Sequence, residues 1–92
     1  MIGAGDIPYL PRGVRVHFDK VRDQWVLLAP ERAITLDPIG HAILTELDGK
    51  STFQAITETL SAKYNAPAEQ IAQDSAGFLD ALRNRRFLEV NP

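Results

Sequence analysis

The side chains best suited to chemistry in this sequence are two histidines, twelve carboxylates and ten basic residues, with no cysteine among 92 residues. Neither His17 nor His41 has a second histidine or a carboxylate at metal-ligand spacing. A histidine becomes functional mainly through such partners, so we interpret both as surface residues. No glycine-rich phosphate loop and no G-x-S-x-G motif occurs. The sequence therefore predicts a chain that is not an enzyme, with no metal site and no cofactor.

The composition describes one small domain. Apolar residues make up 45% of the chain, which is enough for a single core. The net charge of −2 provides no basic field to attract nucleic acid or an anionic membrane. No apolar run approaches the roughly 20 residues that span a bilayer. Residues 1–6 lack the charged start and apolar stretch of a signal peptide. Together these features predict a soluble cytoplasmic protein.

Two segments of different character follow one another. Residues 1–13 hold three of the six glycines and two of the six prolines, without hydrophobic periodicity. They predict a flexible N-terminal arm, although Ile7, Tyr9 and Leu10 are apolar enough to dock on the rest of the chain. Residues 14–92 carry regular patterns and predict one domain.

Three strands are indicated at 14–19, 25–29 and 32–36, where apolar residues alternate or run together. Two-residue turns are predicted between them. Asp23 tolerates the positive φ of a tight hairpin at 22–23, and Pro30 favours a type I turn at 30–31.

These turn lengths fix a register that can be compared with the alternation. They place Phe18 opposite Leu27, Leu27 opposite Ile34, and Trp25 opposite Leu36. All five side chains then fall on the same face of the sheet. Turn chemistry and alternation therefore agree on a three-stranded antiparallel meander.

Three helices are predicted after the strands. Asp37 and Pro38 form an N-cap and a first helical residue, residues 51–54 resemble a capping box, and Pro67 opens the last helix. Each helix has an apolar stripe. The stripes are Ile39, Ala42, Ile43 and Leu47; Phe53, Ile56, Leu60 and Tyr64; and Ile71, Ser75, Phe78, Leu79 and Leu82. Residues 87–90 predict a short extended segment.

The order of elements predicts an α+β, winged-helix-like fold, in which a three-stranded antiparallel meander precedes a three-helix bundle. A winged helix often binds DNA, and its last helix would enter the groove. Here that helix carries Glu69, Asp74 and Asp80, and no Lys or Arg precedes Arg83. Such a face repels phosphates, which disfavours DNA binding. DNA binding stays an alternative, together with other protein-interaction modules.

The sheet offers a different kind of site. The third strand of a meander is an edge, and an unpaired edge is a template for another chain. Beside the last helix it would form a groove in which an extended peptide adds as a strand. Asp74, Ser75, Phe78 and Leu82 are candidates for the helix wall of this groove. Periodicity alone favours a plainer alternative, in which Phe78 and Leu82 are core residues and the edge is merely solvated.

Several stretches resemble one known family. They are Arg-Gly-Val-Arg at 12–15, Phe-Asp-Lys-Val-Arg at 18–22, Trp-Val-Leu-Leu-Ala-Pro-Glu-Arg at 25–32, Leu-Asp at 36–37 and Asp-Gly at 48–49. With them the chain closely resembles the pyrroloquinoline quinone (PQQ) biosynthesis protein D family over nearly all of residues 12–90. Asp23 departs from the pattern, since a glycine is expected at that hairpin.

The resemblance implies a function that composition does not show. Members of the family are peptide chaperones, also called recognition elements for ribosomally made, modified peptides (RiPPs), and hold no cofactor. They bind the precursor peptide of PQQ and present it to a radical SAM enzyme, which crosslinks a glutamate and a tyrosine. The precursor adds as a strand beside the third strand, next to the last helix. The resemblance assigns this site to Arg32, Ala33, Ile34, Thr35 and Leu36, with Asp74, Ser75, Phe78 and Leu82. We expect a monomer in solution, with a dimer as the alternative.

Overall fold

The computed structural model describes all of residues 1–92. A three-stranded sheet has the order β2-β3-β4, and a separate two-stranded sheet joins β1 to β5. The antiparallel meander followed by three helices confirms the predicted fold class. The elements are β1 (Ile7–Tyr9), β2 (Arg15–Asp19), β3 (Gln24–Ala29), β4 (Arg32–Thr35), α1 (Pro38–Thr45), α2 (Phe53–Tyr64), α3 (Ala68–Asn84) and β5 (Glu89–Asn91).

The β2–β3 hairpin differs from the predicted register. Phe18 pairs with Trp25, not with Leu27 as predicted, since the turn contains the four residues 20–23. The Asp19 carboxylate produces this wider turn by accepting hydrogen bonds from the backbone N–H groups of Val21 and Arg22, at 3.0 and 3.2 Å. The positive φ predicted for the last turn residue is confirmed. The register shifts by two residues, so every side chain keeps its predicted face.

The β3–β4 hairpin has the predicted register. Leu27 pairs with Ile34, and the N–H of Leu36 donates to the carbonyl of Trp25 at 2.9 Å. The turn itself is not the predicted type I, because Glu31 has a φ of 61° where a type I turn requires a negative value.

Local signals start and stop the helices. Asp37 caps α1 through its Oδ1, which accepts from the N–H of Gly40 at 2.6 Å. Thr52 caps α2 by accepting from Ala55 N–H at 3.2 Å, whereas Ser51 bonds to Asp48, so the predicted capping box does not form. At the third helix, Pro67 is the cap residue, not the first helical one, and carries no side-chain cap.

The core lies between the meander and the helices. Its buried residues are Ile2, Leu27, Leu36, Ile43, Leu44, Phe53, Ile56, Leu60, Ala76, Leu79, Leu82, Phe87 and Leu88. Two residues of the predicted stripes are outside it: Ile39 is 69% exposed and Tyr64 is 59% exposed. An open cleft lies among the three helices, and these two side chains line it.

The N-terminal segment packs on the domain, contrary to the prediction of a flexible arm for residues 1–13. Ile2 is buried in the core, and Pro8 is completely buried. Strand β1 pairs with β5, which is the extended segment predicted at the C-terminus. The carbonyl of Asp6 accepts from the N–H of Phe53 at 2.7 Å, at the start of α2. Burial and strand pairing therefore hold this segment in place. None of the three helices is long and apolar enough to cross a membrane.

Candidate functional site

Strand β4 is an edge whose free backbone groups can be assigned. The N–H of Leu36 bonds to Trp25 on β3, and backbone direction alternates along an antiparallel strand. Arg32, Ile34 and Leu36 therefore point their backbone groups toward β3. The N–H and C=O groups of Ala33 and Thr35 point outward. An added strand would find two sets of donors and acceptors at these positions.

The side chains of β4 divide between its two faces. Arg32, Ile34 and Leu36 lie on the helix-facing side, where Leu36 is buried and Ile34 is half-buried. Ala33 and Thr35 project from the opposite face and are exposed. The predicted strand residues can therefore contact a ligand in two ways. Ala33 and Thr35 offer backbone groups, and Arg32 and Ile34 offer side chains on the helix-facing side.

The four predicted wall residues of α3 are not equivalent. Ser75 and Leu82 are buried to 2% and 3% exposure. Phe78 is half-buried against Gly40 of α1. Asp74 is exposed and accepts two hydrogen bonds from the Gln70 amide, both at 3.1 Å. Phe78 and Asp74 thus present surface, whereas Leu82 has the core position of the plainer alternative.

An apolar cleft of about 330 Å³ lies among the three helices. It brings the two exposed stripe residues, Ile39 and Tyr64, together with the predicted wall residues Asp74 and Ser75. Its lining is Pro38, Ile39, Ala42, Ile43, Leu60, Tyr64, Ile71, Asp74 and Ser75. Concave, mostly apolar openings of about this volume are the common form of binding sites. Sequence reasoning missed the cleft, because it placed Ile39 and Tyr64 in the apolar stripes of the first two helices.

The other end of the site is basic. The Arg32 guanidinium lies 4.3 Å from the centre of the Phe87 ring, and its Nη1 donates to the carbonyl of Arg85 at 2.7 Å. Arg85 is the C-cap of α3 and also lies over Phe87, at 5.4 Å. These contacts tie the start of β4 to the end of α3. Cation–π contacts and a helix C-terminus both favour positive charge here.

One aromatic contact was not predicted. The rings of Trp25 and His41 stack with centroids 4.1 Å apart and planes 16° apart, and Phe18 meets Trp25 edge-on at 5.1 Å. The interpretation of His41 as a surface residue is therefore wrong, since its imidazole packs α1 on the sheet. His17 is exposed, as predicted.

Three exposed polar links lie outside the groove. A hydrogen bond to Glu89, with burial and the negative charge, raises the pKa of Tyr9. Backbone N–H groups of Ser51 and Lys50 lower the pKa of the Asp48 carboxyl. The Glu46 carboxylate, 2.7 Å away, raises the pKa of Lys63. These links hold the linkers and termini, and no group of three metal-ligating side chains occurs in the structure.

Solved structures define the class of this fold. The solution NMR structure of the PqqD truncation of Methylobacterium extorquens PqqCD, a functional and stand-alone RiPP recognition element, matches with a TM-score of 0.84 and 42% identity. The match covers 97% of this chain and 95% of that one. TbiB1 in complex with the TbiA(beta) leader peptide matches with a TM-score of 0.74 and 25% identity, over 88% and 94% of the chains. The fold is that of a RiPP recognition element.

The family follows from the sequence. The family model for coenzyme PQQ synthesis protein D (PqqD) matches residues 24–88. The PqqA binding protein of Rhizobium meliloti (strain 1021) is 44% identical over 90 residues, which cover 98% of this chain and 92% of that protein. The chain belongs to the PqqD family. Membership of this family confirms the prediction that the chain is not an enzyme.

Proposed function

We propose that this protein binds the precursor peptide of PQQ as an added strand on β4 and presents it to the radical SAM enzyme of the pathway. The observation that carries the proposal is the unpaired edge at Ala33 and Thr35. The neighbouring Ile34 and the helix residue Phe78 are both half-buried against the core. Backbone pairing supplies affinity in this mode of recognition, and alternate peptide side chains supply specificity.

The comparisons support a peptide as the ligand. The R. meliloti relative is a PqqA binding protein, and the TbiB1 structure contains a leader peptide. In this chain, residues 14–92 supply the sheet edge and the helices, and the N-terminal segment completes the core beneath them. We assign the peptide site to the predicted residues of β4 and to the exposed wall residues Asp74 and Phe78, with Ser75 and Leu82 supporting that wall from the core.

The apolar cleft extends this site past the end of β4. The cleft shares Asp74 and Ser75 with the predicted wall, and its residues Pro38 and Ile39 begin α1, which is separated from the end of β4 by two residues. A peptide that continues beyond Leu36 would therefore reach an apolar opening lined by Ile39 and Tyr64. Burial of one apolar peptide side chain there stabilises the complex by about 1.5 to 3 kcal/mol before ordering costs.

The mechanism of presentation is one of local concentration. A docked precursor remains near the enzyme, which converts a bimolecular encounter into an intramolecular one. Ordering a flexible peptide opposes binding, so we expect a moderate and reversible affinity. The domain acts without a cofactor of its own in this scheme, and one monomer binds one peptide.

A titration of isotope-labelled protein with the precursor peptide, followed by backbone amide shifts, tests this proposal. We expect the largest shifts at Ala33 and Thr35 of β4 and at the wall residues Asp74 and Phe78 of α3, with saturation at one peptide per monomer. Shifts confined to β2 or to the β1–β5 sheet would reject the groove. An absence of shifts, both alone and with the enzyme present, would reject peptide presentation itself.

A further inference from the structure

We infer that Arg32 recognises an acidic side chain of the bound peptide, placed two residues from an apolar side chain that packs on Ile34. This inference rests on the proposed strand addition and specifies its register. It assigns the peptide a short recognition pattern, which is an acidic and an apolar residue separated by one position.

The spacing follows from the geometry of β4. Arg32 and Ile34 are two residues apart, so both side chains project toward the helices, while the intervening Ala33 projects away. An antiparallel strand added at the outer edge places one residue opposite each of them, with Cβ atoms about 4.5 to 5.5 Å apart. A parallel strand has the same period of two along each face. The two peptide side chains that face Arg32 and Ile34 must therefore also be two residues apart.

The fixed position and unpaired charge of the Arg32 guanidinium favour a carboxylate as its partner. Stacking on Phe87 and the bond to the Arg85 carbonyl hold the guanidinium in place. That bond uses one of its five N–H donors. The only two ion pairs of the structure are Arg22 with Asp19 and Lys63 with Glu46, so the charge of Arg32 has no carboxylate partner. A fixed guanidinium with free donors binds a carboxylate bidentately at a small entropic cost.

The surrounding charge makes this end of the groove selective. Arg83, Arg85 and Arg86 cluster at the end of α3 and are exposed, and none of them forms an ion pair. Toward the start of α3, the exposed carboxylates Glu69 and Asp74 give the opposite sign. An acidic peptide residue is therefore attracted to the Arg32 end and repelled from the other, which fixes how the peptide lies in the groove.

The order of the pattern reports the direction of the added strand. β4 runs from Arg32 to Thr35. A peptide that adds antiparallel presents the apolar residue first and the acidic residue two positions later. A peptide that adds parallel presents the acidic residue first. The apolar residue therefore precedes the acidic residue in the peptide sequence if the strands are antiparallel and follows it if they are parallel.

The experiment uses the precursor peptide and variants in which each Asp or Glu is replaced singly by Lys. Calorimetric titration of the wild-type protein should find one variant that binds about tenfold or more weakly, because a charge-assisted bond becomes a repulsion. Arg32→Glu should weaken binding of the native precursor similarly and should restore binding of that one Lys variant. Arg22→Glu, which changes an exposed arginine on the β2–β3 turn, should have little effect.

A second peptide series determines the strand direction. Alanine at the apolar position two residues before or after the identified acid should weaken binding on one side only. If the precursor binds and every single Lys variant binds equally well, the role of Arg32 is rejected while strand addition stands. If Arg32→Glu unfolds, the Lys variants with wild-type protein still decide the matter. If the precursor itself does not bind, the proposed function fails instead.

Discussion

Phe78 of α3 lies directly against Gly40 of α1, so closely that a β-carbon on Gly40 would lie 3.0 Å from Phe78 Cζ. The same β-carbon would lie 3.1 Å from Oδ1 of Asp37, the cap of α1. The contact joins the start of the first helix, which follows β4, to the helix wall of the groove. A glycine at this position leaves room for the Phe78 ring against α1.

Gly40→Ala should therefore weaken binding of the precursor peptide severalfold. The new methyl group must displace the Phe78 ring or the Asp37 cap by a few tenths of an ångström. Phe78 belongs to the proposed wall of the groove, and Asp37 caps the helix that follows β4. Calorimetric titration measures the effect. Gly77→Ala is the matched control, because Gly77 is exposed and nothing lies within 4 Å of a β-carbon there. It should stabilise the protein by about 1 kcal/mol and leave binding unchanged. Equal peptide affinities for the two variants would exclude Phe78 from the wall.

Thr35→Pro should weaken peptide binding about fivefold. Proline removes an outward N–H, worth about 1 kcal/mol as a hydrogen bond, yet leaves the ladder to β3 intact because prolines are tolerated on edge strands. Thr35→Val keeps the N–H and serves as the control. Both variants should retain the far-ultraviolet circular dichroism spectrum of the wild type. The strand-addition model is contradicted if the proline and valine variants bind the peptide with the same affinity.

Ile2→Ala should lower the free energy of unfolding by about 2 kcal/mol, because it leaves a cavity where a buried side chain joins the N-terminal segment to the core. Val21→Ala removes a side chain that is 96% exposed and should change stability by less than about 0.5 kcal/mol. Urea unfolding monitored by circular dichroism compares the two variants. If both alanine variants unfold alike, residues 1–13 behave as the flexible arm that their composition predicted.

Glu89→Gln should lower the pKa of Tyr9 toward its ordinary value of 10.0. The hydroxyl donates to Oε2 of Glu89 at 2.7 Å, so the native contact favours the neutral phenol. Because the folded pKa is raised, its contribution to stability is complete below the ordinary pKa and is lost as the pH rises through the raised value. Alkaline difference spectra measure the tyrosinate.

The titration of Tyr9 is cleanest in a Tyr64→Phe background, since these are the two tyrosines of the chain. Glu58→Gln removes an exposed carboxylate on α2 and should leave the Tyr9 titration unchanged. An unchanged pKa in Glu89→Gln would show that the link between β1 and β5 is absent in solution.

The sequence alone determined the features that depend on neighbouring residues, namely the faces of the strands and the start of the first helix. Alternation assigned the side chains of all three strands to the correct faces, even where the β2–β3 register was two residues off, because a shift of two preserves the face. Asp37 and Pro38 fixed the start of α1, since a cap acts on the next few residues alone. The edge position of β4 followed from the order of the strands.

Contacts between distant residues were decided by the tertiary structure. The Asp19 carboxylate stabilises the wider turn by accepting hydrogen bonds from two backbone N–H groups, which the alternation of apolar residues does not predict. Ile7 pairs with Asn91, although the two residues are separated by nearly the whole chain. A strand of three residues has too short a pattern to predict which strand it pairs with. Ile39 and Tyr64 carry the pattern of buried residues, but burial depends on whether another helix covers them. Only the tertiary structure showed that Arg32 has no carboxylate partner, because the residues that surround its guanidinium come from the distant end of α3.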